Sequence, residues 1–90
     1  MKYDVQIKEQ AAEDLKRLLR SEPKVYKKAL ALIAELYDHP TLGTGHPEPL
    51  KGCGENRWSR RITQKHRLVY DIHATEVVVV LTAFGHYNDK

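Results

Sequence analysis

The fold is decided by RWSRRITQKHRLVYDIHATEVVVVLTAF, residues 57–84, which holds three strand-like runs in succession. The runs cover residues 57–63, 66–73 and 76–84, with two residues between each run and the next. Connections this short join antiparallel neighbours, so the stretch predicts a three-stranded meander. Residues 77–81 are apolar throughout, which predicts that the last strand is central and buried on both faces.

The pairing register of the first two runs decides where their arginines point. Successive side chains of a strand alternate between the two faces, so a slip of one residue would reverse every assignment. The register that places Ile62 on the core face with Leu68, Tyr70 and Ile72 puts Arg61 and Arg67 together on the opposite face. Two guanidinium groups side by side repel each other unless an anion joins them, and their planar forks suit a phosphate.

The N-terminal half predicts one strand and two helices. Residues 3–8 alternate between apolar and polar side chains, as in a half-buried strand. From Glu9 the period becomes helical, with the apolar stripe on Ala12, Leu15, Leu18 and Leu19 and with Glu13, Asp14, Lys16 and Arg17 facing water. Pro23 ends that helix and begins a second one, whose stripe is Val25, Ala29, Leu32, Ile33 and Leu36. So short a connection predicts an antiparallel helical hairpin.

Residues 38–54 predict a long loop, because they hold three of the four prolines and four of the five glycines. Such a loop in a small domain is usually functional or disordered. The whole pattern is β-α-α-β-β-β and is typical of an α+β fold, a mainly antiparallel four-stranded sheet with a two-helix hairpin packed on one face. Ninety residues suit a single domain over residues 1–90.

Composition narrows the classes of function. The single Cys53 cannot form an intrachain disulfide, the start does not resemble a signal peptide, and no apolar run is long enough to cross a membrane. These features favour a cytoplasmic protein without a membrane partner. The net charge of +3 comes from residues 51–67, which carry six basic residues against Glu55 alone. Concentrated positive charge attracts nucleic-acid backbones, although charge alone slightly favours a solvated basic strand.

Few side chains combine acid–base chemistry with a suitable position. Glu48 lies between two prolines that stiffen the backbone, so its carboxylate could be a general base, but a loop glutamate that trims the charge is the simpler interpretation. His86 follows the last strand, and an imidazole ordinarily titrates near neutral pH, as a general acid should, but for this residue alone an exposed histidine near the terminus is the simpler interpretation. Tyr87 could stack on a base, and Lys51 could neutralise a phosphate. The histidines lack metal-ligand spacing, so neither a metal nor another cofactor is expected.

Taken as strings, these residues resemble a known family. GHPEPLK at residues 45–51, WSRRIT at 58–63, HRLVY at 66–70 and the pair His86–Tyr87 resemble the YoeB/Txe toxins of the RelE/ParE superfamily, in that family's usual order. The likeness is close over the C-terminal half and covers the N-terminal half only as a strand and a helical hairpin. Two departures are present: Asn88, Asp89 and Lys90 follow the His-Tyr pair, and His46 stands where the family often has a lysine.

The resemblance implies the toxin of a type II toxin–antitoxin system, a metal-independent endoribonuclease with a RelE/ParE-like, microbial-ribonuclease-like fold. It implies that Glu48 takes the proton from a ribose 2′-hydroxyl, that Arg67 stabilises the charged transition state and that His86 protonates the leaving 5′-oxygen. Tyr87 would position the substrate. The auxiliary contacts to RNA phosphates would be Lys51 and Arg61. The implied partners are mRNA in the ribosomal A site, the ribosome and a YefM/Phd-type antitoxin, with a homodimer as a further alternative.

Two other functions stay open. A ParE-like toxin would share the fold but would bind DNA gyrase without a general acid or base, and the combination of Glu48, Arg67 and His86 argues against it. A non-catalytic nucleic-acid-binding or corepressor module would need only the basic stretch. New 5′ ends in transcripts support the nuclease, DNA breaks support gyrase poisoning, and neither supports the binding module.

Overall fold

Two helices and one mixed sheet make up the fold in the computed structural model, which describes residues 3–50 and 56–84. In chain order the elements are β1 (Asp4–Ile7), α1 (Glu9–Ser21), α2 (Pro23–Leu36), β2 (Glu48–Pro49), β3 (Arg57–Arg61), β4 (His66–His73) and β5 (Glu76–Phe84). The sheet has the spatial order β1-β5-β4-β3-β2, in which β1 runs parallel to β5 and the other pairs are antiparallel. The predicted α+β class and the C-terminal meander are confirmed.

The sheet has five strands where four were predicted, because a short strand forms inside the segment predicted as a loop. β2 pairs with β3 through Glu48 opposite Ser59 and Pro49 opposite Trp58. Pro49 fits there because β2 is an edge strand, where a missing N–H need not break the hydrogen-bond ladder. This pairing fixes Glu48 to the edge of the sheet.

The second helix matches its predicted pattern. Pro23 occupies the first turn of α2, and a single residue, Glu22, separates α2 from the end of α1, against which it packs. The buried residues of α2 are Ala29, Leu32, Ile33 and Leu36. Val25 is half-buried and packs against the same core. The apolar stripe of α2 therefore faces the core, as predicted.

The first helix is turned slightly from its predicted orientation. Leu15 and Leu18 are buried, but Leu19 is 50% exposed and Ala11 is buried in place of Ala12. Asp14, predicted to face water, is buried. Its Oδ2 accepts a hydrogen bond of 3.1 Å from the backbone N–H of Thr82 in β5, and its Oδ1 accepts one from the Gln10 side chain. These bonds offset the cost of removing a carboxylate from water. The prediction that Asp14 faces water was wrong because one of its partners, the Thr82 N–H, lies far away in the sequence.

The hydrophobic core lies between the helices and one face of the sheet. The other face, here called the open face, is covered by neither α1 nor α2. The buried apolar residues that the sheet and its β3–β4 turn give to the core are Ile62, Leu68, Tyr70, Val77 and Val79. Val78 and Val80 are only partly buried, so the prediction that this run is buried on both faces was wrong. The central strand is β4, because β5 lies between β4 and β1.

Candidate functional site

Two arginines occupy directly opposed positions on the open face. Arg61, at the end of β3, pairs with Arg67, near the start of β4, in the antiparallel register. Side chains at opposed positions point to the same face, with Cβ atoms about 5 Å apart. Arg61 is exposed and the Arg67 side chain keeps 26% of its surface, so both can meet a solute. The structure places the two arginines side by side, as the predicted register requires.

Glu48 approaches the same arginines from the edge strand. It lies opposite Ser59, and the alternation along β3 puts Ser59 on the same face as Arg61. Oε2 of Glu48 is 3.7 Å from Nη1 of Arg67. This distance exceeds a hydrogen bond, and the Glu48 side chain is 59% exposed, so the ion pair contributes at most about 1 kcal/mol. The carboxylate and the guanidinium are therefore close without being locked together.

Three further predicted site residues lie outside the described residues. They are Lys51, His86 and Tyr87. The described part of β5 ends at Phe84, which pairs with His66, the neighbour of Arg67 in β4. The structure thus brings together three of the six predicted residues, and the roles of the other three stay predictions from the sequence.

Arg60 belongs to the basic stretch by sequence but is fully buried on the helix side of the sheet. Its guanidinium donates to the Glu35 carboxylate at 2.6 Å and to the Tyr70 hydroxyl at 3.2 Å. It also donates to the backbone carbonyls of His39, Leu42 and Thr44. The Tyr70 hydroxyl in turn donates to the Pro40 carbonyl at 2.7 Å. A cation enclosed in this way cannot contact a phosphate; instead it holds residues 39–44 against the sheet.

The partners of Arg60 show shifted protonation equilibria. Hydrogen bonding by Thr44, whose backbone N–H donates to Glu35 at 3.0 Å, holds the pKa of Glu35 below its ordinary value, and the Arg60 guanidinium adds to the effect. Burial raises the pKa of the Tyr70 hydroxyl. At neutral pH the network therefore joins the Glu35 carboxylate, the Arg60 guanidinium and the neutral Tyr70 phenol. It also holds residues 39–44 of the loop that leads to Glu48.

A second arginine of the basic stretch is neutralised within the sheet. Arg57 donates from Nε to Oδ1 of Asp71 at 2.7 Å and from Nη2 to Oδ2 at 2.8 Å. This bidentate bond holds the pKa of Asp71 below its ordinary value. With Arg57 and Arg60 engaged, the basic stretch offers a partner less charge than its composition indicates. Its remaining described cations are Arg61, Lys65 and Arg67.

The chemistry around Arg61, Arg67 and Glu48 is ionic and hydrogen-bonding. The two arginines supply guanidinium forks, which suit a phosphate, and Glu48 supplies a carboxylate, which can accept a proton. Over residues 3–50 and 56–84, no three His, Cys, Asp or Glu side chains converge as metal ligands do. In the same ranges, no helix is both long enough and apolar enough to cross a membrane.

Comparison with known proteins identifies the family. The family model described as the YoeB-like toxin of the bacterial type II toxin–antitoxin system matches residues 7–87. Toxin YoeB of Streptomyces coelicolor is 43% identical over 75 residues, which cover 83% of this chain and 88% of that toxin. The YoeB dimer from Staphylococcus aureus has a TM-score of 0.81 at 30% identity and covers 97% of this chain and 100% of its own. The YoeB–YefM complex from Staphylococcus aureus has a TM-score of 0.77 at 28% identity and covers 93% of this chain and 98% of its own. The chain therefore belongs to the YoeB-like toxin family of bacterial type II toxin–antitoxin systems.

Proposed function

We propose that this toxin is a ribosome-dependent mRNA endoribonuclease that works without a metal ion. The observation that carries the proposal is the position of Glu48, 3.7 Å from Arg67, with Arg61 opposite Arg67 on the open face. A ribose 2′-hydroxyl and the phosphate it attacks are neighbours within one nucleotide. A base and a phosphate-binding cation must therefore also be neighbours. Membership of the toxin family supports the same activity.

The proposed reaction transfers one proton at each end of the phosphodiester. Glu48 takes the proton of the 2′-hydroxyl, and the 2′-oxygen attacks the adjacent phosphorus as the bond to the 5′-oxygen breaks. Arg67 stabilises the negative charge that develops on the phosphate oxygens. Its weak contact with Glu48 is easily exchanged for one with the phosphate. His86 protonates the leaving 5′-oxygen, so the products carry a 2′,3′-cyclic phosphate and a 5′-hydroxyl.

Three residues have supporting roles in this proposal. Tyr87 positions the substrate, and the further contacts to RNA phosphates come from Lys51 and Arg61. Substitution of Lys51 by alanine should weaken RNA binding and increase its salt sensitivity without eliminating cleavage. Glu48→Gln should be milder than His86→Ala, because a ribosomal group or a water can take the 2′-hydroxyl proton in place of Glu48.

We also propose that a YefM-like antitoxin restrains this chain in the cytoplasm, where ribosomes work. The support is the solved complex of the Staphylococcus aureus relative with YefM. An acidic, flexible antitoxin segment that orders on Arg61 and Arg67 would neutralise the open face and block it sterically. The dimer of the same relative supports a homodimer for this chain. A complex in which the antitoxin touches only the two helices would contradict direct neutralisation.

Expression in growing cells tests the nuclease against the gyrase alternative. The variants are Arg67→Ala, His86→Ala and, as a matched control, Lys65→Ala, an exposed cation in the β3–β4 turn without a proposed role. Wild type and the control should arrest growth and create new 5′ ends in transcripts. Arg67→Ala and His86→Ala should do neither, because Arg67 stabilises the transition state and loss of an acid such as His86 typically costs about 10²–10⁴ in rate. Circular dichroism checks that each variant folds. Folded Arg67→Ala and His86→Ala proteins that cut like wild type, or DNA breaks without transcript cleavage, would refute the proposal.

A further inference from the structure

A cleft of about 320 Å³ opens beside the open face, between α2, residues 44–46 and the β3–β4 turn. This side cleft is lined by the polar residues Lys28, Thr44, His46, Arg61, Thr63 and Gln64, together with Gly45 and Ile62. Its volume is at the lower end of the range for small-ligand pockets. Arg61 lines the cleft and also lies opposite Arg67, so the cleft adjoins the candidate site at this residue.

The lining of the side cleft is suited to an anion. Its basic residues are Lys28 in α2 and Arg61 in β3, and none of its lining residues is acidic. The carboxylate of Glu35, in α2, is engaged by the Thr44 backbone N–H and by Arg60. Hydroxyl, amide and imidazole side chains also belong to the lining residues and can donate hydrogen bonds to phosphate or ribose oxygens.

One wall of the side cleft is held in an unusual backbone conformation. Gly45 has a φ of 89° and His46 a φ of 52°, the second of which a residue with a side chain seldom adopts. The Gly45 carbonyl accepts a 2.6 Å hydrogen bond from the Arg61 backbone N–H, and Thr44 is tied to Glu35 and Arg60 on the inner side. Backbone strain of this kind persists where surrounding contacts impose it, often at ligand sites. The wall is therefore formed before a ligand arrives.

We propose that the side cleft binds the phosphodiester backbone of the RNA next to the cleaved bond, with Lys28 and Arg61 as its cations. The proposal rests on the proposed nuclease function, because it needs an RNA strand already placed at Arg67 and Glu48. A strand that leaves Arg67 passes over Arg61 and meets the cleft next. Lys28 is then a substrate-binding residue that lies on a helix, away from the reacting atoms.

The test compares two adjacent lysines of α2. Lys28 lines the side cleft, whereas Lys27 is also exposed but is not part of the lining, so Lys27→Gln is a matched control for Lys28→Gln. The probe is a short single-stranded RNA with every 2′-hydroxyl methylated, which the full-length protein can bind but cannot cleave. Its dissociation constant is measured by fluorescence anisotropy over a range of salt concentrations. Gln64→Glu, which adds a carboxylate to the lining from an exposed turn position, provides a second variant.

Affinity for RNA falls as salt rises, and loss of one phosphate contact to a single strand makes the slope of log affinity against log salt less steep by about 0.7. This corresponds to about fivefold weaker binding at about 0.1 M salt. We expect this change for Lys28→Gln, a weakening at least as large for Gln64→Glu, and an unchanged slope for Lys27→Gln. Equal behaviour of the two lysine variants would overturn the proposal. So would a Lys28→Gln protein that binds RNA normally but binds the antitoxin weakly, because the cleft would then be a protein-binding surface.

Cleavage on ribosomes separates this proposal from the proposed function. Lys28→Gln should need more ribosome-bound mRNA to reach half its maximal rate and should reach the same maximal rate, because Lys28 does not touch the reacting atoms. A wild-type protein that binds the methylated RNA through Lys28 but never cleaves mRNA would refute the nuclease and leave the cleft assignment standing. A Lys28→Gln protein that loses maximal rate alone would refute the assignment of Lys28 to binding.

Discussion

Arg60 and Arg61 are neighbours in the sequence, yet substitution by alanine should affect them in opposite ways. Arg60 is fully buried and donates to Glu35, to Tyr70 and to backbone carbonyls of the loop before β2. Arg61 is exposed on the open face. Arg60→Ala should therefore destabilise the fold, whereas Arg61→Ala should leave stability nearly unchanged and weaken RNA binding.

The size of the effect at Arg60 follows from what its removal leaves behind. Removal of one partner of a buried ion pair costs about 3–5 kcal/mol. The Glu35 side chain keeps 33% of its surface, so water compensates it in part and a cost near the lower end, about 3 kcal/mol, is expected. For a domain of this size each kcal/mol shifts the melting temperature by about 4–8 °C, so Tm should fall by at least about 12 °C. For Arg61→Ala the change should stay within about 0.5 kcal/mol.

The assay is thermal and urea unfolding followed by circular dichroism on the two variants and wild type. Tyr70→Phe is a graded third variant, because it keeps the ring but removes the hydroxyl that accepts from Arg60 and donates to Pro40. Its expected cost is about 1–3 kcal/mol. If Arg60→Ala unfolds like wild type, or if both arginine variants lose equal stability, the assignment of Arg60 to the fold and of Arg61 to the surface is wrong.

Three further results are expected. Because the pKa values of Glu35 and Asp71 are lowered in the folded state, the contacts of these carboxylates stabilise the fold fully above the unfolded carboxyl pKa of about 4. This stabilisation is lost as the pH falls through the folded-state pKa. Asp71→Asn should therefore reduce the fall of the urea midpoint at acidic pH. Asp14→Ala should cost about 1–3 kcal/mol in urea unfolding because the Thr82 N–H loses its acceptor, and Asp14→Asn, which keeps an oxygen, should cost less; equal losses would contradict this role. Gly45→Ala should lower Tm, because φ is 89° and the added Cβ would lie 2.6 Å from a backbone oxygen, whereas a wild-type Tm would contradict the strain expected at this position.

Much of the fold could be predicted because its signals are local. Two-residue separations predict the meander, and alternation anchored on Ile62 predicts the pairing of Arg61 with Arg67. The same alternation puts Arg60 on the helix side of the sheet with Ile62, and the same register sets Arg57 opposite Asp71. Both neutralised arginines could therefore have been found from the sequence, and a count of charges alone overlooked them.

The remaining features depend on contacts between distant parts of the chain. Asp14 is buried because its acceptor meets the Thr82 N–H from the far end of the sequence, and nothing in the helical pattern indicates that partner. β2 exists because β3 offers it an edge, not because two residues have a strand preference of their own. The distance between Glu48 and Arg67 follows from the strand order β4-β3-β2 and could be expected only through the family resemblance.

The most direct test of the proposed reaction is to identify the chemical ends that the toxin leaves on mRNA in a purified translation system. Attack by the 2′-oxygen predicts a 5′-hydroxyl on one fragment and a 2′,3′-cyclic phosphate on the other, formed only when ribosomes are present. The folded Arg67→Ala protein should leave the mRNA largely intact. Fragments with 5′-phosphate ends, or equal cutting by wild type and Arg67→Ala, would contradict the assignment of Glu48 and Arg67 to RNA cleavage.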